Sequence, residues 1–168
     1  MRRRVDRSLT ALERVYRAEF TAFMRTATAY LGDADMARDA VQEGVANAIR
    51  SRTSYRGEGT LEAWLWRVVL NAIRSQHRAR AHTLVLDDAS LEAVPAAVST
   101  NGYESAEAVR LAVKRLPARQ RLVLFLRFYA DMDYATIAEL LDMSEGTVGA
   151  SLNAARTTLR GLLREVPT

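Results

Sequence analysis

The sequence predicts an all-α protein made of two small helical domains joined by a linker. Apolar residues recur at three- and four-residue steps over most of the chain, and no segment alternates as a half-buried strand does. Residues 81–103 lose the helical period and contain the turn-forming pair Asn101-Gly102. We therefore place the first domain at residues 1–80, the linker at 81–103 and the second domain at 104–168.

The first domain is predicted to contain three helices. Apolar spacing predicts the first over about residues 9–31 and the second over about 34–50, separated by Gly32-Asp33. Residues 51–59 are rich in turn formers and predict a loop, with a third helix from Thr60 to about Arg80. We expect the buried stripe of this third helix to be Leu61, Leu65, Val68 and Ala72, with Trp64 beside it.

The second domain is predicted to end in a helix-turn-helix. Two helices over about 105–115 and 118–129 are separated by Leu116-Pro117, and a turn at 131–133 precedes the motif. Asp142-Met143 makes the corner, and Ser144 is a good N-cap for the helix that follows. The apolar side of that helix is Val148, Leu152, Ala155 and Leu159. The second helix of such a motif can enter the DNA major groove.

Charge is distributed unevenly along the 168 residues, whose net charge is +4 and pI about 9.8. Residues 1–80 carry +6, residues 81–103 carry −3 and residues 104–168 carry +1. A basic first block suggests a polyanionic partner such as nucleic acid, although an ordinary solvated surface is the alternative. The lack of cysteine fits a reducing cytoplasm. We expect neither a membrane span nor a secretory signal, because no apolar run is long enough and the basic N-terminus has no apolar segment after it.

One ridge of the third helix concentrates groups that suit nucleic acid. Steps of four, three and four residues place three guanidiniums and an amide side by side: Arg67, Asn71, Arg74 and Arg78. Tyr55, Arg56 and Trp66 add aromatic rings and a cation on which an unpaired strand stacks. The alternative to DNA binding is that this face of the helix is simply solvated and that Tyr55 and Trp66 cap small hydrophobic clusters.

The second helix has a polar outer side that includes Asp39, Gln42 and Glu43, which suits either solubility or a protein partner. We find no active site. His77 and His82 have poor spacing for a metal, and no glycine-rich phosphate loop is present. We therefore predict no enzyme activity, no cofactor and no metal.

Taken together, the motifs resemble those of bacterial RNA polymerase sigma factors. The segments similar to conserved region two are Asp39-Ala-Val-Gln-Glu43, Tyr55-Arg-Gly57 and Trp64-Leu-Trp-Arg-Val-Val-Leu-Asn71. The segments similar to conserved region four are Leu116-Pro-Ala-Arg-Gln-Arg121, Leu126-Arg127, Tyr134-Ala-Thr-Ile-Ala138 and Ser144-Glu-Gly-Thr-Val148. Two such domains with little else are similar to the extracytoplasmic-function (ECF) group. The resemblance covers about residues 9–163.

This resemblance implies a factor that binds core polymerase, recognises promoters and helps to open them. It implies that Asp39, Gln42 and Glu43 meet the polymerase clamp helices. The minus-ten element would be held by a set in the first domain: Tyr55, Arg56, Trp66, Arg67, Asn71, Arg74 and Arg78. The minus-thirty-five element would be read around the last helix by Ser144, Gly146, Thr147, Ala150, Ser151, Asn153 and Arg156. The resemblance further implies a linker that runs toward the RNA exit path and an anti-sigma partner. We expect a monomer when the protein is free.

Two positions depart from the family pattern. Asp142 stands where the turn commonly has Gly, although Asp does visit the left-handed conformation. Residues 149–154 are uncharged where the reading helix usually carries Lys or Arg. We therefore expect weak or shape-driven minus-thirty-five recognition, with phosphate contacts from Arg119, Arg121 and Arg127.

Two other functions remain open from the sequence. A helix-turn-helix repressor or activator of duplex DNA explains residues 104–168 but leaves the Tyr55 loop and the Arg67 ridge unexplained. An adaptor that uses its helices only for protein contacts would show no salt-dependent affinity for promoter DNA.

Overall fold

The computed structural model describes residues 6–86 and 103–164, and over these ranges it is helical with no β-strand, which confirms the all-α prediction. The first bundle contains α1 (Leu9–Leu31), α2 (Ala34–Ser51), a short 3₁₀ turn (Arg52–Ser54) and α3 (Leu61–Leu86). The second contains α4 (Tyr103–Lys114), α5 (Ala118–Phe128), α6 (Tyr134–Leu141) and α7 (Glu145–Arg164).

Local capping explains where the first helices begin and end. The Ser8 hydroxyl accepts a hydrogen bond from the Ala11 amide at the start of α1, and Gly32 ends that helix with a φ of 73°. The Asp33 carboxylate then caps α2 by accepting from the amides of Asp35 and Met36.

Helix α3 extends to Leu86, six residues beyond its predicted end at Arg80. Residues 81–86 contain no Gly or Pro, so the change in charge that suggested a linker there is not a helix stop. The remainder of the predicted linker, including the short helical turn considered near Asp88 to Ala93, lies outside the described residues.

The first bundle packs its three helices closely around aromatic and branched side chains. Phe23 of α1 contacts Trp66 of α3, with ring centroids 4.4 Å apart, and both side chains are buried. Gly44 allows α2 to approach α3, because a Cβ at this position would lie 2.8 Å from the Cα of Val69. This tight crossing fixes the orientation of α3.

The second bundle holds the predicted helix-turn-helix. Ile137 of α6 and Leu152 of α7 are buried beside Leu122 and Leu126 of α5. Asp142 makes the corner in the left-handed conformation, with φ 52° and ψ 59°, as expected of an Asp in place of Gly. The Ser144 hydroxyl accepts from the Thr147 amide at 3.1 Å and caps α7.

The two bundles pack against each other, with α3 on α6 and α1 on α5. Their buried residues form one continuous apolar cluster. Tyr30 of α1 meets Phe125 of α5 edge-on, with ring centroids 6.5 Å apart. We call this contact between α1 and α3 of the first bundle and α5 and α6 of the second the closed interface.

Candidate nucleic-acid interface

The four residues of the predicted ridge do share one side of α3. Val69 and Ile73 are buried on the other side of the helix, toward the core of the first bundle. Leu70 is also buried, but it lies beside Arg67 and Arg74. Arg67, Asn71 and Arg78 are exposed and Arg74 is half-buried. We call Arg67, Asn71, Arg74 and Arg78 the α3 ridge.

The buried stripe of α3 is rotated from the predicted one, which corrects the expectation for Trp66. Trp66 is 1% exposed, and its indole Nε1 donates to the Glu19 carboxylate at 3.1 Å, so it is a core residue and presents no ring to a base. Leu61, Val68 and Trp64 are only half-buried. The rotation arises because α3 packs against α1, α2 and α6 at once, so its buried side is wider than a single apolar stripe.

Tyr55 is also buried, at 7% exposure, which contradicts the expectation of a ring open to bases. Its hydroxyl donates to the Gly59 carbonyl at 2.9 Å, and its ring lies 5.7 Å from that of Trp64. Gly57 and Gly59 have φ values of 82° and 72°, which glycine adopts readily. Tyr55 therefore fixes the loop before α3 that carries the exposed Arg56.

Helix α6 partly covers the α3 ridge. The Arg67 Nη2 donates to the Glu139 backbone carbonyl at 3.2 Å. Arg67, Asn71 and Arg74 line a cleft of about 190 Å³ whose other wall is the C-terminal end of α6 with Asp142. Three of the four ridge residues thus face the second bundle.

Arg121 lies at the second point of the closed interface. Its guanidinium carbon is 5.2 Å from the centre of the Tyr30 ring, and its Nη2 lies 3.4 Å from the His77 Nε2. A guanidinium only donates, so a hydrogen bond at this point requires the His77 Nε2 to accept, as it does in a neutral imidazole with its proton on Nδ1. Burial, followed by the nearby charges of Arg121 and Arg80, lowers the pKa of His77 and favours this neutral form.

The predicted reading helix presents an exposed surface with no basic residue before Arg156. Gly146, Thr147, Ala150 and Asn153 are exposed, whereas Ser151 is half-buried. Ser144 and Arg156 are also exposed, at the start of α7 and beyond its second turn. Arg160 and Arg164 were not predicted as site residues and continue the exposed side, and their four-residue spacing from Arg156 is the signal that identifies them.

The three arginines expected to contact phosphate have different surroundings. Arg119 is exposed at the start of α5. Arg121 also donates from Nη1 to the Lys114 carbonyl at 3.1 Å. Arg127 donates to the Met132 carbonyl at 2.9 Å and pairs with Asp131 at 3.5 Å. Arg127 therefore stabilises the turn between α5 and α6, and among these three only Arg119 points to solvent without such contacts in the described chain.

The polar side of α2 is exposed as expected. Asp39, Gln42 and Glu43 all face solvent. The Arg50 Nη2 lies 3.0 Å from the Glu43 carboxylate and 2.6 Å from the Asn47 amide oxygen, which partly neutralises that end of the surface. The negative charge is thus concentrated toward Asp39.

Within residues 6–86 and 103–164, no group of three or more acidic or histidine side chains is arranged to hold a metal ion. Over the same part of the chain, we find no helix with the length and apolar character required to cross a bilayer.

Comparisons with known proteins match both halves of the chain. The family profile for Sigma-70 region 2 matches residues 15–83, and that for Sigma-70 region 4 matches residues 106–159. The ECF RNA polymerase sigma factor SigM of Mycobacterium tuberculosis is 32% identical over 91% of this chain and 77% of its own length. The ECF sigma factor EcfG of Rhodopseudomonas palustris is 30% identical over 79% of this chain and 74% of its own.

Solved structures support the same fold. RpoE of Bartonella quintana, in complex with the anti-sigma factor NepR, has a TM-score of 0.72 at 23% identity, covering 95% of this chain and all of the other. CnrH, in complex with the cytosolic domain of CnrY, has a TM-score of 0.71 at 21% identity, covering 95% and 92%.

The fold and the matched regions define an RNA polymerase sigma factor. The chain belongs to the ECF sigma factors. It is a transcription initiation factor that binds core polymerase and directs it to promoters, and the match of both halves decides against a separate repressor and against a pure adaptor.

Proposed function

We propose that the α3 ridge of this sigma factor, together with Arg56, holds the melted strand of the minus-ten element. The support is the shared orientation of three guanidiniums and the Asn71 amide, opposite the buried side of the helix. Guanidiniums form paired hydrogen bonds with phosphates, and an amide both donates and accepts at a base edge. Tyr55 acts indirectly, by fixing the loop that carries Arg56.

The exposed side of α2 is proposed to bind core polymerase through Asp39, Gln42 and Glu43. These residues lie on the surface of the first bundle, and their acidic character contrasts with the α3 ridge. A negative surface next to a positive one allows a single bundle to bind a basic protein surface and DNA at once. Asn71 and Glu43 line one groove between α2 and α3, so the two surfaces adjoin.

We propose that α7 reads the minus-thirty-five element weakly. Ser144, Gly146, Thr147, Ala150, Ser151 and Asn153 offer small polar groups and close approach in its first turns, and Arg119 and Arg156 offer charge. A bidentate Arg contact is worth about 1–3 kcal/mol of base discrimination, and the first two turns contain none. Shape and phosphate contacts therefore dominate.

Several wider assignments belong to this proposal. Residues 1–80 act in polymerase and minus-ten binding, residues 81–103 connect, and residues 104–168 act at the minus-thirty-five element. An anti-sigma factor is proposed as a partner, because the structural neighbours RpoE and CnrH were solved with NepR and CnrY. We propose that the protein acts in the cytoplasm, is monomeric when free and catalyses no reaction by itself.

Reconstituted transcription tests the proposal. Core polymerase with this chain should yield transcripts from a subset of a genomic promoter library, and Asn71→Ala should reduce opening of those promoters. Gln76→Ala, a change at a half-buried position on the same helix, is the matched control. Unchanged opening with Asn71→Ala would count against the minus-ten assignment, and loss of all transcripts with the control would reveal damage to α3 instead.

A further inference from the structure

The C-terminal half of α7 carries a row of arginines, of which the proposed function uses only the first. Arg156, Arg160 and Arg164 follow one another at four-residue steps, and all three are exposed. We call these three residues the α7 stripe. Each step rises by about 6 Å, so the stripe extends over about 12 Å of the helix.

The α7 stripe carries charge that the rest of the protein does not neutralise. None of its guanidiniums forms an ion pair with an acid in residues 6–86 or 103–164. Like charges four residues apart on a helix repel one another, and the only acid of α7 is Glu145 at its other end. A bound polyanion would relieve this repulsion. Exposed arginines on other helices do pair with acids: Arg17 with Glu13, Arg38 with Asp35, Arg50 with Glu43 and Arg110 with Glu107.

The stripe lies on the side of α7 that is proposed to face DNA. At about 100° per residue, Arg160 and Arg164 fall within about 40° of Gly146 around the helix axis. Asn153 falls in the same sector, so the stripe continues the reading surface. The buried side of the helix is opposite and consists of Val148, Leu152 and Ala155.

Helix α7 is longer than the groove that its first turns would occupy. Its 20 residues span about 30 Å, whereas the major groove of B-DNA is about 12 Å wide. Arg156 lies about 17 Å along the helix from Glu145. A helix whose N-terminal turns lie in the groove therefore passes a bordering phosphate strand with the half that carries the stripe.

We propose that the α7 stripe binds the phosphate backbone of the promoter duplex next to the minus-thirty-five element. A guanidinium forms paired hydrogen bonds with phosphate oxygens, and such contacts position a protein on DNA without reading its sequence. The stripe thus supplies the charged contacts that the first turns of α7 lack. The inference rests on the proposed function, because α7 has to lie in the groove for the stripe to reach its edge.

A salt series of duplex binding tests the proposal, with holoenzyme formed from core polymerase and the full chain. The double variant Arg160→Gln, Arg164→Gln removes two phosphate contacts. It should lower the affinity for promoter duplex about tenfold at low salt and reduce the slope of log affinity against log salt by about 1.8. The loss should be the same on a second duplex whose minus-thirty-five sequence is scrambled, because backbone contacts carry no sequence information.

Arg110→Gln is the matched control. It removes an exposed guanidinium from α4 of the same bundle, where Arg110 pairs with Glu107, and should leave both the affinity and the salt slope unchanged. The double variant Arg160→Lys, Arg164→Lys keeps both positive charges and should keep the slope. Every variant should bind core polymerase as the parent chain does, which establishes that it is folded.

The outcomes separate the inference from the proposed function. A double Gln variant that binds both duplexes like Arg110→Gln would overturn the proposal. So would a loss confined to the unscrambled duplex, which indicates base contacts, or a loss of affinity for core polymerase, which assigns the stripe to an acidic protein surface. If scrambling the element leaves the affinity of the parent chain unchanged, α7 does not read the minus-thirty-five element, whereas an equal loss on both duplexes would still place the stripe on phosphate.

Discussion

The α3 ridge and the exposed side of α7 are both assigned to DNA, but they are built from different chemistry. The ridge has three guanidiniums around one amide, whereas α7 begins with Glu145 and has no basic residue before Arg156. Charge makes the larger contribution to affinity for a phosphate backbone, and base-edge contacts contribute specificity. The first bundle is therefore expected to supply most of the affinity for DNA, and the second bundle is expected mainly to position the protein on the DNA.

The two surfaces also differ in accessibility. Arg67, Asn71 and Arg74 of the ridge face the second bundle, whereas the exposed side of α7 is open to solvent. The more strongly charged surface is therefore the one that borders the second bundle, and Arg78 is the ridge residue outside that cleft.

The largest expected effect comes from removing charge on the ridge. Replacing both Arg74 and Arg78 by Ala should lower affinity for single-stranded minus-ten DNA in the polymerase complex by about 10²-fold, because each charged hydrogen bond contributes about 1.5–3 kcal/mol. The decrease should shrink as salt is raised. Fluorescence anisotropy over a salt series measures both. Arg50→Ala, which removes a guanidinium that pairs with Glu43 on α2, should leave the affinity for this DNA unchanged. An equal loss of affinity in Arg50→Ala would show that the ridge contributes no more than other basic residues.

The second effect concerns the packing that orients the ridge. Gly44→Ala places a Cβ 2.8 Å from the Cα of Val69, so α2 and α3 must separate. We expect a loss of about 1–3 kcal/mol in the free energy of unfolding, as for other overpacked cores. Urea denaturation followed by circular dichroism measures it.

Gly161→Ala is the matched control for that change. No heavy atom lies within 4 Å of an added Cβ at this position of α7, so the helix should gain up to about 1 kcal/mol from the better helix former. If both substitutions stabilise the protein, the α2–α3 crossing is less tight than the structure indicates.

Much of this fold was accessible from the sequence because its signals are local. The ends of α1 follow from Ser8 and Gly32, and the corner of the helix-turn-helix from Asp142, which are residues with strong conformational preferences. The positions of the ridge residues follow from helical periodicity alone. Such features depend on a few neighbouring residues and require no knowledge of tertiary contacts.

The expectations that were wrong depend on tertiary contacts. Trp66 was expected to be exposed because one apolar stripe was considered, whereas three neighbouring helices widen the buried side of α3. Tyr55 is buried because its hydroxyl reaches the Gly59 carbonyl and its ring reaches Trp64. The contacts of Arg67 and Arg121 join residues 72 and 44 positions apart in the chain, and no local pattern predicts them.

Adding a positive charge to α7 tests the difference in DNA affinity between the α3 ridge and α7. Ala150 is exposed in the second turn of that helix. Ala150→Arg should raise affinity for duplex DNA by up to about tenfold at low salt and increase the salt slope by about one phosphate contact. Ala18→Arg, at an exposed position of α1, is the control because it adds the same single charge elsewhere. Equal gains from both would mean that α7 does not lie against the duplex.

The smallest expected effect is a dependence of stability on pH. Burial, Arg121 and Arg80 lower the pKa of His77 below its ordinary value near 6.5, with the Tyr30 ring packed beside the imidazole. The folded chain therefore binds fewer protons at His77 than the unfolded chain. The stabilisation that His77 contributes is complete above the ordinary pKa and is lost as the pH falls from about 6.5 toward the lowered value.

The free energy of unfolding, measured by urea denaturation, should therefore decrease reversibly on acidification from about pH 7.5 to about 5.5. His77→Gln keeps a neutral acceptor for Arg121 but has no proton to gain, so this variant should lose less stability over the same range. A decrease of the same size in His77→Gln would assign the response to other groups. An equal stability of the parent chain at both pH values would show that the imidazole keeps its ordinary pKa in the folded chain, and that Arg121 is held mainly by the Tyr30 ring and the Lys114 carbonyl.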